Sequence, residues 1–169
     1  MCDHRYYFAL AHQLLAHIEL DRGNGTRAVE LLEVAAPMIE ESGRTFELAS
    51  LRIEQARALL KTGRREEAAA VALEAAGLMA EQSPIDAGRS YALVADVFVE
   101  LDDEERAIEL FELATTTLAS TPNRYLVEVY AKLAELHEKR GDEQVMIEAL
   151  KRGMKVQQQA QRTLVADEA

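Results

Sequence analysis

Small residues recur along this chain at a nearly constant interval, and this repeat constrains the fold more than any other feature. Ala16, Ala56, Ala95 and Ala134 are spaced 40, 39 and 39 residues apart. Each is followed at fixed distances by a turn position and by two further residues, most of them small. These marks are Gly23, Gly63, Asp102 and Gly141, then Ala28, Ala68, Ala107 and Met146, then Ala35, Ala75, Ala114 and Gly153. A pattern that returns in this way predicts an internally repeated fold.

Each repeat has the length and spacing of two antiparallel helices joined by a turn. Ala28 and Ala35 are seven residues apart, so they share one helical face. Small side chains on facing stripes let two helices approach to the short end of the usual ~8–10 Å interaxial range. Gly23 ends the first helix, because glycine adopts the left-handed conformation of a helix end without steric cost. Asp102 fills this position in the third repeat and tolerates that conformation less well.

The residues at these marks resemble the tetratricopeptide repeat (TPR). The best copy runs from Ala56 to Ala68 as Ala-Arg-Ala-Leu-Leu-Lys-Thr-Gly-Arg-Arg-Glu-Glu-Ala, and a further alanine, Ala75, follows at the last mark. The resemblance covers about residues 9–160, although the period of 39–40 exceeds the ~34 residues of the common TPR. The aromatic residue of the TPR pattern is present only as Tyr91 and Tyr130.

Long-helix repeats of this kind resemble the TPR domains of bacterial helix-turn-helix regulators and of the peptide-sensing Rap group. The resemblance implies an all-α fold, a right-handed α–α superhelix of four TPR-like helix pairs with a C-terminal helical extension. We expect residues 1–169 to form a single domain, with repeats at about 5–43, 44–83, 84–121 and 122–160. The length agrees with this expectation, because 169 residues is the usual size of one domain.

The composition agrees with packed helices and argues against several classes of function. Hydrophobic residues make up 49% of the chain but aromatic residues only 5%, so alanine and leucine dominate and favour helices over a sheet. A net charge of −11 argues against direct contact with a nucleic-acid backbone, since that binding needs dense lysine and arginine. No apolar run is long enough to span a bilayer and no signal peptide is recognised, so we expect a cytoplasmic protein without membrane contact.

Turn and cap residues predict the bounds of eight helices. We expect helices over about 3–22, 24–42, 45–62 and 65–82, then from 84 to 101, 104–119, from 122 to 140, and from 143 onward. The expected N-caps are Asn24 or Thr26, Ser83, Asp103, Thr121 and Asp142.

The two ends of the stack carry further signals. In the first helix Leu10, Leu14 and Ile18 form a stripe with helical spacing. The glutamines at 157–159 predict a polar last helix that closes the stack against water. Three aromatic residues, Tyr6, Tyr7 and Phe8, lie in one turn at the first edge. They either pack locally on the second helix or form an interface with a second copy or with a domain outside this chain.

Residue patterns for catalysis or metal binding are missing from the sequence. The histidines, His4, His12, His17 and His137, lack the spacing of a zinc site, and the lone Cys2 excludes an internal disulfide. No glycine-rich phosphate loop occurs, and the many carboxylates fall where solvated helix faces are expected. We therefore predict a protein that is not an enzyme and that holds no metal or other cofactor.

The remaining candidate site is the concave surface, which the first helix of each pair lines in TPR proteins. The resemblance implies that a peptide binds among polar residues on these helices, although each of them is also typical of a solvated surface. These residues are Gln13, His17, Glu54, Arg57, Arg89, Asp96, Glu128, Lys132 and Glu135. The arginines have the geometry to pair with carboxylates of a partner. The clamp of chaperone-type TPRs is absent, because Arg89 alone keeps its basic character.

Two functions are consistent with this pattern. The first is a non-catalytic scaffold that binds a protein or peptide in a concave groove, as the effector part of a bacterial regulator. The alternative is a self-associating regulatory domain, a homodimer formed through Tyr6, Tyr7 and Phe8. Its DNA contacts would then be made by a helix-turn-helix domain outside this chain. A purely structural adaptor is not separable from the first function by sequence.

Overall fold

The computed structural model describes residues 4–80, 83–120 and 124–167, and within these ranges the chain contains helices and no strands. The helices are α1 (His4–Asp21), α2 (Gly25–Glu41), α3 (Thr45–Lys61), α4 (Arg65–Met79), α5 (Pro84–Glu100), α6 (Glu104–Leu118), α7 (Arg124–Arg140) and α8 (Glu143–Asp167). Their bounds lie within a few residues of the predicted ones. The agreement arises because turn and cap residues mark the helix ends in the sequence.

Consecutive helices pack as four pairs, α1 with α2, α3 with α4, α5 with α6, and α7 with α8. The second helix of each pair also packs on the first helix of the next pair, and α3 contacts both α1 and α5. The first helices therefore lie side by side along the stack. The arrangement is a right-handed α–α superhelix, which confirms the predicted fold class.

The repeated small residues lie in the core between the packed helices. Ala16, Ala56 and Ala95 are completely buried, and Ala134 is 4% exposed. The last mark, Gly153, is buried against α7, where an added Cβ would stand 3.2 Å from the Cβ of Tyr130. The period of the sequence is therefore the period at which helices pack closely.

The turn marks adopt the left-handed backbone conformation. The φ angle is +79° at Gly23, +78° at Gly63, +78° at Gly141 and +59° at Asp102. The Asp102 carboxylate accepts a hydrogen bond from Arg65 Nη2 at 3.1 Å, and the same nitrogen donates to the carbonyl oxygen of Leu101. Arg65 thus ties the turn that lacks glycine to the start of α4.

Of the predicted caps, those at Ser83 and Asp103 form and the one at Asn24 does not. Ser83 Oγ accepts a hydrogen bond from the backbone N–H of Asp86 at 3.3 Å, and Asp103 accepts one from that of Arg106 at 3.2 Å. Asn24 precedes α2, but its side chain makes no cap bond and instead donates to Glu19 Oε2 at 2.6 Å. The Asp142 carboxylate lies 3.4 Å from His137 Nδ1 and 3.6 Å from Arg140 Nε. The cap predicted at residue 121 lies outside the described residues.

One prediction about the ends of the stack is wrong, and one pattern does not mark the buried face. The apolar stripe of α1 is not its buried face, because Leu14 is 64% exposed while Ala9 and Ala16 are completely buried. The last helix does not close the stack with a polar face, because Leu150 is 45% and Met154 60% exposed. The spacing of apolar residues located both helices correctly. Which face is covered depends on neighbouring helices, and a helix's own sequence does not show its neighbours.

The left-handed turn between α3 and α4 yields a first testable prediction. A Cβ at Gly63 would meet no atom within 4 Å, so Gly63→Ala tests the backbone conformation alone. We expect this change to lower the free energy of unfolding by about 1–2 kcal/mol, the cost of an L side chain in that conformation. Urea unfolding followed by circular dichroism measures the difference.

Gly77→Ala is the matched control for this experiment. Gly77 lies inside α4, and an added Cβ there also meets no atom within 4 Å. Since glycine weakens a helix interior, we expect the control to raise the free energy of unfolding by roughly 0.5–1 kcal/mol. Equal changes in the two variants would contradict the left-handed turn.

Candidate functional site

All nine predicted groove residues lie on the first helices of the four pairs. We call the side of α1, α3, α5 and α7 that carries them the groove surface. Two of these residues come from α1, two from α3, two from α5 and three from α7: Gln13, His17, Glu54, Arg57, Arg89, Asp96, Glu128, Lys132 and Glu135. All nine are half-buried or exposed. Most of them fall into three groups of neighbours, each of which spans two or more helices.

The first group lines an open depression of about 350 Å³ between α1 and α3. Leu10 and Leu14 form the apolar part of its lining, and Gln13, His17 and Glu54 form the polar part. The structure therefore brings the predicted residue Glu54 of α3 next to Gln13 and His17 of α1, which are distant from it in the sequence. Because the depression is open and partly apolar, it has room for a side chain of a partner.

Glu54 has an unusual position within this depression. Its Oε2 atom is buried and has no hydrogen-bond partner in the described part of the chain. Burial raises the pKa of Glu54, while the hydrogen bond from Gln13 and the nearby His17 and Arg57 act in the opposite direction. The carboxyl group thus retains an unused acceptor, which is a costly arrangement in a folded protein unless a donor arrives.

The second group is an ion pair that joins α5 to α7. Lys132 Nζ lies 2.6 Å from each carboxylate oxygen of Asp96. The same ammonium group lies 5.7 Å from the ring centre of Phe111. Together with Glu135, the pair lines a cavity of about 130 Å³. Since Asp96 and Lys132 neutralise each other, they brace the third pair against the fourth rather than offering free charge to a ligand.

The third group surrounds Tyr125, a residue that was not predicted. The Tyr125 hydroxyl donates to the carbonyl oxygen of Arg89 at 3.3 Å, and the Arg89 guanidinium lies 5.6 Å from the ring centre. Burial, followed by the charge of Asp96, raises the pKa of Tyr125 to about 12, while Arg89 and Arg57 act to lower it. The phenol therefore stays neutral at physiological pH.

The two arginines near Tyr125 keep their charge available. Neither the Arg57 nor the Arg89 guanidinium forms a hydrogen bond or ion pair with another described residue. A signal for this group exists in the sequence, because Tyr125 replaces the acids Glu47 and Asp86 of the two preceding repeats. The exchange removes a negative charge and adds an aromatic ring beside Arg89.

The aromatic residues at the first edge divide into two environments. The Tyr6 hydroxyl donates to Glu47 Oε1 at 3.3 Å, and the Arg44 guanidinium lies 4.3 Å from the ring centre of Tyr6. In contrast, Tyr7 is 59% and Phe8 50% exposed. Tyr6 is thus engaged with α3, and the other two rings remain accessible.

The arrangement of the side chains also bears on metal binding, and the character of the helices bears on membrane spanning. Within residues 4–80, 83–120 and 124–167, no group of three or more His, Cys, Asp or Glu side chains is placed to hold a metal ion. In the same part of the chain, no helix combines the length and the apolar character that crossing a bilayer requires.

Comparison with known proteins supports the repeat architecture. The tetratricopeptide repeat model matches residues 88–117, which comprise most of α5 and α6. The solved structure of BtubC (BKLC) from P. vanneervenii has a TM-score of 0.72 at 20% identity and covers 88% of this chain. RapI in its apo form has a TM-score of 0.78 at 12% identity and covers 93%. A Rap protein complexed with competence and sporulation factor has a TM-score of 0.73 at 16% identity and covers 88%.

These likenesses define a TPR-like helical repeat protein and confirm the predicted resemblance at the level of fold. The chain spans 63% of the length of BtubC and 44% and 42% of the two Rap proteins. No curated protein matches the sequence.

The buried carboxyl group of Glu54 yields a second prediction. Because its folded pKa is raised, ionisation of Glu54 destabilises the fold, fully above the folded pKa and not at all below the unfolded value of about 4.3. We expect Glu54→Gln to raise the free energy of unfolding at pH 7 and to lose this advantage as the pH falls below about 4. Urea unfolding at several pH values measures the effect.

Glu135→Gln is the control, because Glu135 is an exposed acid on the same surface. We expect it to change the free energy of unfolding by less than about 0.5 kcal/mol at every pH. If Glu54→Gln instead lowers stability at pH 7, the hydrogen bond of Glu54 with Gln13 and its longer-range attraction to Arg57 outweigh the effect of burial.

Proposed function

We propose that this chain is a non-catalytic scaffold that binds a protein or peptide along the groove surface, as the effector part of a bacterial regulator. The TPR-like architecture supports a binding role. One observation carries the proposal: the Arg57 and Arg89 guanidinium groups have no ion pair among the described residues, and that of Arg89 lies 5.6 Å from the ring centre of Tyr125. The groove side of the first helices forms a continuous surface along the stack, which suits the binding of an extended segment of a partner. The proposal includes a cytoplasmic location, which stays a prediction.

The chemistry of this spot favours a carboxylate of the partner. A guanidinium group binds a carboxylate through two parallel hydrogen bonds, and the neutral ring of Tyr125 supplies an apolar surface beside them. The net charge of −11 repels an acidic partner at long range. Because salt screens distant charges within about 8–10 Å, the short-range pairing with Arg57 and Arg89 decides the outcome.

A peptide partner is also supported by one of the similar folds. A Rap protein has been solved as a complex with competence and sporulation factor. The depression beside Glu54 offers a second contact point along the same surface, with an apolar wall and an unused acceptor. An acidic residue at the arginines and a donor at Glu54 together give such a segment a preferred direction.

Binding of short acidic peptides tests the proposal. The probe is a set of fluorescein-labelled peptides rich in Asp and Glu, beside the same sequences with Asn and Gln. We expect fluorescence anisotropy to detect binding of the acidic set alone. Arg57→Glu with Arg89→Glu should weaken this binding by about tenfold or more per guanidinium, since a hydrogen bond to a charged group is worth about 1.5–3 kcal/mol.

Arg27→Glu with Arg106→Glu is the matched control for this experiment. These arginines lie on the second helices α2 and α6, and their replacement changes the net charge by the same amount. We expect the control to bind as the wild type does. Binding that survives Arg57→Glu with Arg89→Glu would show that the groove assignment is wrong. Equal losses of binding in both double variants would show that the peptides respond only to the net charge of the protein.

Self-association is the second candidate function, and the exposure of Tyr7 and Phe8 favours it. In this case the chain is the dimerisation part of a helix-turn-helix transcription factor, and the DNA contacts lie outside this chain. Tyr6 drops out of the proposed interface because it contacts Glu47 and Arg44. A wild-type chain that is monomeric by light scattering across micromolar concentrations would exclude this function.

A further inference from the structure

The second helices inside the stack bury three repeated positions. The positions are Val29, Leu32 and Ala36 on α2, Ala69, Ala72 and Ala76 on α4, and Ile108, Phe111 and Thr115 on α6. All of them are buried except Ala69, which is half-buried. Each of these helices packs on its own first helix and on the first helix of the next pair. Several of them share a hydrophobic cluster with residues of that next helix.

The equivalent positions on α8 are exposed. Counting back by the repeat period, Ile147, Leu150 and Met154 correspond to the buried residues of α2, α4 and α6. Their exposed fractions are 39%, 45% and 60%. α8 has its own partner α7, so it differs from the earlier second helices in having no described pair after it. In the earlier pairs this face is covered by the first helix of the next pair.

The opposite end of the stack shows the complementary pattern on α1. Phe8, Ala11, Leu15 and Ile18 are all exposed, with fractions of 50% for Phe8, 49% for Leu15 and 37% for Ile18. One repeat later the equivalent residues are buried on α3, and the same holds on α5 and α7. These residues are Leu48, Leu51, Gln55 and Ala58, then Ala87, Ser90, Val94 and Val97, then Leu126, Val129, Leu133 and Leu136.

The two ends are thus the two halves of the contact that joins consecutive pairs inside the stack. Solenoid proteins normally cover such ends with a polar capping face. Here the exposed face of α8 corresponds to the face on which α2, α4 and α6 pack the next first helix. The exposed face of α1 corresponds to the face by which α3, α5 and α7 pack on the preceding second helix. We propose that α8 of one copy packs on α1 of a second copy, head to tail, by the geometry of the α2–α3, α4–α5 and α6–α7 contacts.

Charge favours this occupant. Over residues 143–162, α8 carries Lys151, Arg152, Lys155 and Arg162 against two acids, whereas the whole chain has a net charge of −11. The cationic end of one copy therefore meets an otherwise acidic molecule, which lowers the repulsion between copies. A head-to-tail contact leaves one free end on each side, so it extends into longer assemblies unless the stack closes into a ring.

The head-to-tail contact involves no residue of the groove surface. It also differs from the homodimer of the second candidate function, in which α1 of one copy packs on α1 of the other. The two contacts are distinguishable because an α1–α1 dimer needs no residue of α8. In the head-to-tail contact, damage to either end is enough to stop growth, and two copies damaged at opposite ends still form one contact between them.

The test is a mixing experiment with two variants, followed by light scattering during size-exclusion chromatography. Leu15→Asp disables the α1 end and Leu150→Asp the α8 end. We expect the wild type to form species beyond a dimer as its concentration rises, and each variant alone to be a monomer. An equimolar mixture of the variants should form a 1:1 dimer, because each supplies the intact end that the other lacks.

Leu113→Asp is the control, since Leu113 on α6 is 44% exposed, almost as much as Leu150, but lies within the stack. This variant should assemble like the wild type. Phe8→Asp and Met154→Asp repeat the experiment at the same two ends, and circular dichroism establishes that every variant is folded.

Three results would overturn the inference. These are a wild type that stays monomeric up to about 1 mM, a Leu150→Asp variant that still dimerises, and a mixture of the two variants that remains monomeric. Peptide binding by the groove surface is measured separately with Arg57 and Arg89 variants, so failure of one proposal leaves the other intact.

Discussion

The close approach of helices at the repeated alanines is the contact on which the rest of the structure depends. Ala16, Ala56, Ala95 and Ala134 are buried and carry no atoms beyond Cβ, which allows neighbouring helices to approach closely at these positions. A larger side chain at such a site would overpack the core at a cost of typically 1–3 kcal/mol. Because the contact recurs every 39–40 residues, each pair is placed on the preceding one in the same way. The alignment of the first helices along one side follows from this repetition.

The repeat builds the surface but does not decide its chemistry. The charged residues on the groove surface occupy positions that are not needed for packing. Contacts between neighbouring pairs then determine which of these charges are neutralised. Asp96 and Lys132 neutralise each other across α5 and α7, whereas Arg57 and Arg89 have no ion pair among the described residues. The functional proposal therefore rests on the pairing of charges more than on their number.

Features set by local backbone chemistry were predictable from the sequence. The helix-ending role of Gly63 and the caps at Ser83 and Asp103 depend on residues within one turn, and the structure contains all three. Features set by distant neighbours were not predictable. The exposure of Leu150 follows from the end of the stack, which leaves no described helix beyond α8, whereas Leu14 lies open in the depression between α1 and α3. Tyr125 was missed for the same reason, since its role depends on residues from α3 and α5. The use of the groove surface in binding stays a prediction.

Nuclear magnetic resonance of the arginine side chains tests the central claim most directly. The wild-type protein is titrated with an acidic peptide while the Nε–H signals of its arginines are followed. The account predicts that the signals of Arg57 and Arg89 both shift and saturate, because carboxylates of the peptide pair with these two guanidinium groups, while those of Arg27 and Arg106 on the second helices stay in place. Shifts confined to the second helices, or no shift of Arg57 and Arg89 at saturating peptide, would contradict it.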